Sequence, residues 1–430
     1  MTVLLVGADL GSATEELLDV LALDTSAEEH LCRALQSSGT VDGAFVLSTC
    51  QRTEVYVSTE DCRLAATAVE RAWTSAVGSA RSACAGALHA RSGAAAAAHL
   101  FAVVGGRRSV TPGETHVVDQ VRGALNRAQR HGFLDAELNT LVQQSLRTSR
   151  RIRALAGAGA GSGLAECALQ AAGAHVRVGP AVDVLVLGAG IVGRDAARAA
   201  ARHHANVVIR NRTLLRAQAL ADEVGGRVAS GPLTEALAEA DVIVSATSSP
   251  TPVVDLTAAR AAARSRDGRP QVYVDLARPR DVSADVARLP SVHRVGLHDL
   301  GPAGGRARDT AVDAVAVADA DEWERARRAA AAGPLLEALG ARATEVVEDE
   351  VRRVTQLRGT HPADAELLRT SLRRVVNRLL HAPRTRARAH AVTGTLAEYE
   401  AALGDLFAAP RRSTHSTSPQ HRNPGEVGAR

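Results

Sequence analysis

One cysteine stands where a nucleophile would be useful. Cys50 lies in the run Ser48-Thr49-Cys50-Gln51-Arg52-Thr53-Glu54-Val55-Tyr56, between two apolar, partly β-branched stretches, Gly43 to Leu47 and Val55 to Val57. That pattern predicts a strand, a tight connection and a second strand, with Cys50 at the connection, where a side chain can face a cleft. Arg52 adds a cationic neighbour, which lowers a thiol pKa toward neutrality and favours the nucleophilic thiolate. A buried, inert cysteine is the other reading of this residue type.

A second constellation lies farther along. Val184-Leu185-Val186-Leu187 leads into Gly188-Ala189-Gly190-Ile191-Val192-Gly193 and then an alanine-rich helical pattern. Glycines at this spacing, after a strand and before a helix, let backbone N–H groups approach a dinucleotide pyrophosphate at the helix N-terminus. The next strand, Asn206 to Ile209, is followed by Arg210-Asn211-Arg212-Thr213, where an NAD site would place an acidic residue on the ribose. Two guanidinium groups suit a 2′-phosphate, so the expected cofactor is NADPH.

A thiolate and a reduced dinucleotide together suggest thioester chemistry. The thiolate attacks an activated acyl group, and hydride reduces the thioester to an aldehyde. A free carboxylate is too electron-rich to accept hydride readily, so the acyl donor must arrive activated.

The elements that position these groups fall into blocks. Residues 1 to 160 alternate strand and helix patterns from a first strand at Met1 to Gly7, ending in long periodic segments at Glu114 to Arg130 and Ala136 to Leu155. The glycine-rich run Gly157 to Gly163 marks a boundary. Residues 161 to 304 carry the rhythm of a parallel α/β sheet between Asp183 and Leu300. Residues 305 to 409 read as helical, with breaks expected at Gly333-Pro334, Gly359 to Pro362 and Pro383. The tail, 410 to 430, has a disordered composition.

Composition removes whole classes of function. The 430 residues contain no lysine, so all 51 basic residues are arginine. Schiff-base enzymes, pyridoxal-phosphate enzymes and P-loop nucleotidases each need a lysine and are excluded. The five cysteines are Cys32, Cys50, Cys62, Cys84 and Cys167. Their odd number and lack of CxxC spacing suggest neither a disulfide framework nor a metal site, and a reducing cytoplasm is the expected location. No apolar run reaches membrane-spanning length. Arginines concentrate between Val351 and His390, as a phosphate-facing surface or as solvated helix faces.

The Ser48 to Glu54 run resembles the nucleophile motif of the glutamyl-tRNA reductase family. The likeness continues through His99-Leu100-Phe101, Ser109, Gly113-Glu114, Gln120, the glycine motif, Asn211-Arg212-Thr213 and Asp275-Leu276-Ala277-Arg278-Pro279-Arg280. It covers nearly the whole chain except the tail. The resemblance implies a catalytic α/β domain at 1–160, an NADPH-binding Rossmann domain at 161–304, and a linker helix with a helical dimerisation domain at 305–409.

Its implied reaction is reduction of glutamyl-tRNA to glutamate-1-semialdehyde through a Cys50 thioester, the first step toward 5-aminolevulinate and porphyrins. Cys50 and His99 become catalytic residues, while Thr49, Cys50, Gln51, Arg52, Ser109, Glu114, Thr115, His116 and Gln120 become substrate-binding. Arg52 would pair with a glutamate carboxylate and Glu114 would meet the ammonium. By its context alone, His99 also reads as a satisfied histidine on an apolar helix, and Glu114 as an acid favouring a helix's first turn. Gly188, Ala189, Gly190, Ile191, Val192, Gly193, Arg210, Asn211 and Arg212 would hold NADPH. Expected partners are glutamyl-tRNA, a second copy of the chain and glutamate-1-semialdehyde aminotransferase. Aromatic residues make up only 2%, so tRNA binding should lean on arginine–phosphate contacts and weaken with salt.

This chain departs from the family pattern at Gln51, at Arg108 and Val110, at Thr115 and His116, and from Ala8 to Ala13. Those changes crowd the expected glutamate pocket. The alternatives are a diverged paralogue with another acyl substrate and a non-catalytic NADPH- or tRNA-binding regulator. A shikimate-type dehydrogenase shares the Asn-Arg-Thr segment but relies on a lysine that this chain lacks.

Overall fold

The computed structural model describes residues 1–78, 88–111, 116–156, 163–300, 310–359 and 361–407. The expected disordered tail and most of the Gly157 to Gly163 break lie outside them. Two compact units are present, Met1–Glu324 and Arg325–Arg430.

The first unit holds both sheets. β1 (Thr2–Asp9), β2 (Gly43–Thr49), β3 (Arg52–Thr59) and β4 (His89–Ser92) form an antiparallel sheet in the order β2-β3-β1-β4. Val3 to Val6 and every residue of β3 are buried, because helices cover the sheet. Burial on both faces lets Val3 to Val6 read as a continuous apolar run instead of an alternating one, while β3 also buries Arg52, Thr53 and Glu54. Helices Thr25–Ser38, Cys62–Val77, Ala94–Val104, His116–Arg130 and Ala136–Ala156 contribute to this core. The start of helix Thr310–Ala330 joins them: Ala316, Ala320 and Trp323 are buried there, and Asp319 accepts from Thr148 Oγ1 at 2.7 Å and from Arg151 at 2.5 Å.

The second sheet is wholly parallel. β5 (Asp183–Leu187), β6 (Asn206–Arg210), β7 (Arg227–Val228), β8 (Val242–Ser245), β9 (Gln271–Asp275) and β10 (Val292–Val295) take the order β10-β9-β8-β5-β6-β7. This is the doubly wound order, which reverses between β8 and β5 and opens a crevice at their carboxyl ends. Val184 and Val186 enter one core while Leu185 and Leu187 enter the other, so helices pack on both faces.

The second unit is helical, with Gly333–Arg358, Pro362–Thr393 and Leu396–Phe407 around a small core of Ala332, Ala387, Ala391, Leu336 and Tyr399. Here one expectation fails: Pro383 does not end a helix but lies inside Pro362–Thr393. Proline removes one helical hydrogen bond, and tertiary contacts carry the helix across, including Tyr399 Oη donating to the Pro383 carbonyl at 3.2 Å. Several of the clustered arginines pair locally: Arg369 and Arg373 with Glu348, Arg352 with Asp349, and Arg353 with Glu350.

Candidate active site

Register fixes the cysteine. Thr49 pairs with Arg52 across β2 and β3, which leaves Cys50 and Gln51 as a two-residue connection. The Gln51 carbonyl accepts from Leu10 N at 3.1 Å, and the Thr49 hydroxyl accepts from Gln51 N at 3.2 Å. Cys50 is half-buried, forms no disulfide, and packs with Leu10 and Val110 against the core of the parallel sheet. Arg278 Nε donates to its carbonyl at 3.2 Å. The expected nucleophile therefore sits where the antiparallel-sheet region meets the dinucleotide fold.

The Asp275 to Arg280 motif explains that meeting. Buried Asp275 accepts from the backbone of Ala277, Asp281 and Val282 at 3.1, 3.3 and 2.9 Å. Burial pushes its carboxyl up to about 6, against the pull of those N–H groups. The turn it organises sends two arginines across. Arg278 donates to the Glu15 carbonyl at 2.8 Å and to Asp19 at 2.9 Å, while Arg280 pairs with Asp19 and, at 2.9 Å, with Glu16.

Behind the hairpin lies a buried charged group. Glu54 is fully buried, and its Oε1 meets His99 Nε2 at 2.7 Å and Arg52 at 3.3 Å. Its Oε2 accepts from Tyr56 Oη at 2.7 Å. Burial alone would raise this carboxyl, but the Arg52 charge and the His99 hydrogen bond overcome it and hold it at about 2. Gly7, paired with Glu54 across β1 and β3, makes room: a Cβ there would lie 2.9 Å from Glu54 Cγ and 2.8 Å from the Thr53 carbonyl.

The sequence-predicted residues gather unevenly. Gln51 Oε1 accepts from Val110 N at 2.9 Å, and Arg52 donates to the Arg108 carbonyl, so residues 49–54, His99 and 108–110 form one bonded set with Ser109 partly exposed beside it. Arg52 itself is buried and turned toward Glu54. His116 Nε2 instead meets Asp195 Oδ2 at 2.6 Å, on helix Ile191–Arg202 after the glycine turn. Gln120 is exposed on helix His116–Arg130. Glu114 and Thr115 lie outside the described residues.

The glycine turn has the shape a dinucleotide needs. Gly188 adopts φ 104°, and a Cβ at Gly193 would meet the Gly188 carbonyl at 2.1 Å, so neither position accepts a side chain. Gly190 faces open space at the start of helix Ile191–Arg202. Ala189 is buried, Ile191 exposed and Val192 in between. Asn211 Oδ1 accepts from Ala189 N at 3.2 Å, which ties the β6 end to the turn. Arg210 reaches the Gly231 carbonyl at 2.8 Å, and Arg212 is exposed.

Sequence reasoning missed Glu54 as a site residue, and Arg278 as the group holding Cys50. A glutamate directly before the apolar run Val55 to Val57 was the available signal, since an unpaired buried carboxylate is costly.

Three family models match successive stretches of the chain. Residues 6–155 match the glutamyl-tRNAGlu reductase N-terminal domain, 168–302 match shikimate / quinate 5-dehydrogenase, and 314–409 match the glutamyl-tRNAGlu reductase dimerisation domain. Glutamyl-tRNA reductase 1 of Nocardioides sp. is 37% identical over 420 residues, covering 95% of this chain and 96% of the relative. Glutamyl-tRNA reductase of Acidothermus cellulolyticus is 34% identical, covering 100% of this chain and 94% of its own length. The solved reductase from Methanopyrus kandleri aligns over 93% of this chain and 98% of its own at 26% identity, with a TM-score of 0.44.

Proposed function

The chain belongs to the glutamyl-tRNA reductase family, and from that premise we infer which of its residues carry the reaction. The family reaction is NADPH-dependent reduction of glutamyl-tRNA to glutamate-1-semialdehyde, the first step of tetrapyrrole synthesis. Cys50 is the residue we assign to holding the glutamyl group. The observation that carries this is its place: a two-residue connection, half-buried, packed against the dinucleotide fold with its carbonyl held by Arg278.

In this reading the Cys50 thiolate attacks the carbonyl carbon of the ester joining glutamate to the tRNA. A C–S bond forms, the C–O bond breaks, and the tRNA hydroxyl leaves with a proton. NADPH, when bound, supplies the hydride that turns the thioester into an aldehyde and returns the thiolate. Gly188 to Gly193 would take the pyrophosphate and Arg210 and Arg212 the 2′-phosphate, with Asn211 shaping the turn.

His99 is the candidate for moving a proton, with Glu54 fixing its ring. Thr49, Gln51, Ser109, Glu114, Thr115, His116 and Gln120 keep their substrate-binding assignment. Arg52 reaches a substrate carboxylate only by leaving Glu54, so we assign it first to holding that carboxylate.

We assign residues 1–160 to catalysis, 161–304 to NADPH and 305–409 to the linker helix and dimerisation. Leu367, Val375 and Leu379, exposed along one row of helix Pro362–Thr393, would meet a second copy of the chain. None of the described helices is long and apolar enough to cross a membrane. We place the enzyme in the cytoplasm, delivering its reactive aldehyde to glutamate-1-semialdehyde aminotransferase.

The test is to trap the acyl enzyme. Full-length protein with labelled glutamyl-tRNA and no NADPH should carry label on Cys50, and Cys50→Ser should carry none, make no semialdehyde and still bind NADPH. Turnover by Cys50→Ser would remove Cys50 from the mechanism.

A further inference from the structure

Three side chains converge beside this site, and three of their ring nitrogens are left without partners among the described residues. His89 opens β4 opposite Gly7 of β1, and Asp9 lies two residues beyond Gly7 on the same strand face. His99 stands on the helix that follows β4. One nitrogen from each histidine and one Asp9 oxygen all lie within 4.8 Å of one another. Both nitrogens of His89, and Nδ1 of His99, are buried and have no hydrogen-bond partner among the described residues. Buried polar atoms are normally satisfied, so three orphaned imidazole nitrogens in one place call for a ligand.

We propose that Asp9, His89 and His99 form a three-ligand site for a divalent cation of the zinc class. Two imidazoles and a carboxylate suit zinc, cobalt or nickel, whereas magnesium and calcium prefer all-oxygen sites. The carboxylate behind His99 completes the arrangement. Glu54 Oε1 lies 2.7 Å from His99 Nε2, which leaves Nδ1 as the ring nitrogen without a hydrogen-bond partner among the described residues. A histidine ligand commonly donates its other N–H to a carboxylate in this way.

Asp9 is already oriented, its Oδ1 accepting from Gly11 N at 3.0 Å. Bonds of about 2.0–2.2 Å put tetrahedral ligand atoms roughly 3.4 Å apart, so the three side chains would have to draw together to close the set. With Nε2 on Glu54 and Nδ1 on the metal, His99 would move no proton, so the site competes with that role; a trapped Cys50 adduct, which needs neither, neither supports nor opposes it.

The probe is Co2+ added to chelator-treated full-length protein, followed by ligand-field absorption and equilibrium dialysis. One equivalent should bind in a low-symmetry site, displaceable by Zn2+, and both Asp9→Asn and His89→Gln should weaken it at least about tenfold. NADPH binding checks that each variant is folded, and the strand-end change Asp9→Asn decides if His89→Gln is not. The proposal is overturned if the wild type takes up no stoichiometric Co2+, or if the folded variants bind as it does. Loss of binding in Cys50→Ser with retention in His89→Gln would overturn it too, by placing the metal on the thiol.

Discussion

His99 Nε2 and Glu54 Oε1 lie 2.7 Å apart, and both side chains are buried. That contact connects a helix to the strand leaving the Cys50 hairpin. It makes the ring orientation of His99 depend on the charge of Glu54.

Acid should therefore act on Glu54. Its folded pKa, about 2, is depressed from an ordinary 4.5, so its contribution to stability is present above 4.5 and lost as pH falls toward 2. The size is on the order of 3 kcal/mol. Glu54→Gln should flatten this part of the acid-unfolding profile. It should also destabilise the fold by ~3–5 kcal/mol, because it leaves Arg52 buried and unpaired. Urea unfolding of both proteins across the acid range measures both effects; equal slopes would show that Glu54 is not the titrating group.

Arg278→Ala should lower kcat while leaving NADPH affinity within about twofold. The variant loses the bonds to the Cys50 and Glu15 carbonyls and to Asp19, at a cost of about 1–3 kcal/mol. Steady-state kinetics beside a thermal melt separates the two effects. An unchanged kcat in a folded variant would show that the Cys50 backbone needs no such anchor.

Replacing Arg210 and Arg212 with Ala should weaken NADPH by roughly 10–100-fold, the worth of charge-assisted hydrogen bonds to a phosphate. NADH should change little, since it lacks that phosphate. Fluorescence titration with both cofactors checks it, and equal losses would reject the 2′-phosphate assignment.

Gly193→Ala should abolish binding of either dinucleotide. Its Cβ would fall 2.1 Å from the Gly188 carbonyl, inside any real contact distance, so the turn must open. The strain should cost about 1–3 kcal/mol. A folded variant that still binds NADPH with wild-type affinity would show that the turn has slack.

The sequence by itself determined the local chemistry and the order of the elements. Cys50 between two β-branched runs, the glycines of 188–193 after a strand, and Arg210 and Arg212 after the next strand each follow from residues close together in the chain. The period of side chains along strands and helices makes such features readable. Pro383 misled, because a local breaker rule cannot see the tertiary contacts that hold a helix across it.

Only the tertiary structure decided which distant residues meet. Glu54 and His99 are separated by 45 residues, and Cys50 and Arg278 by 228. Asp9, His89 and His99 come together because β1 pairs with β4 and the next helix packs beside them. Pairing register and packing, which periodicity does not encode, set those distances.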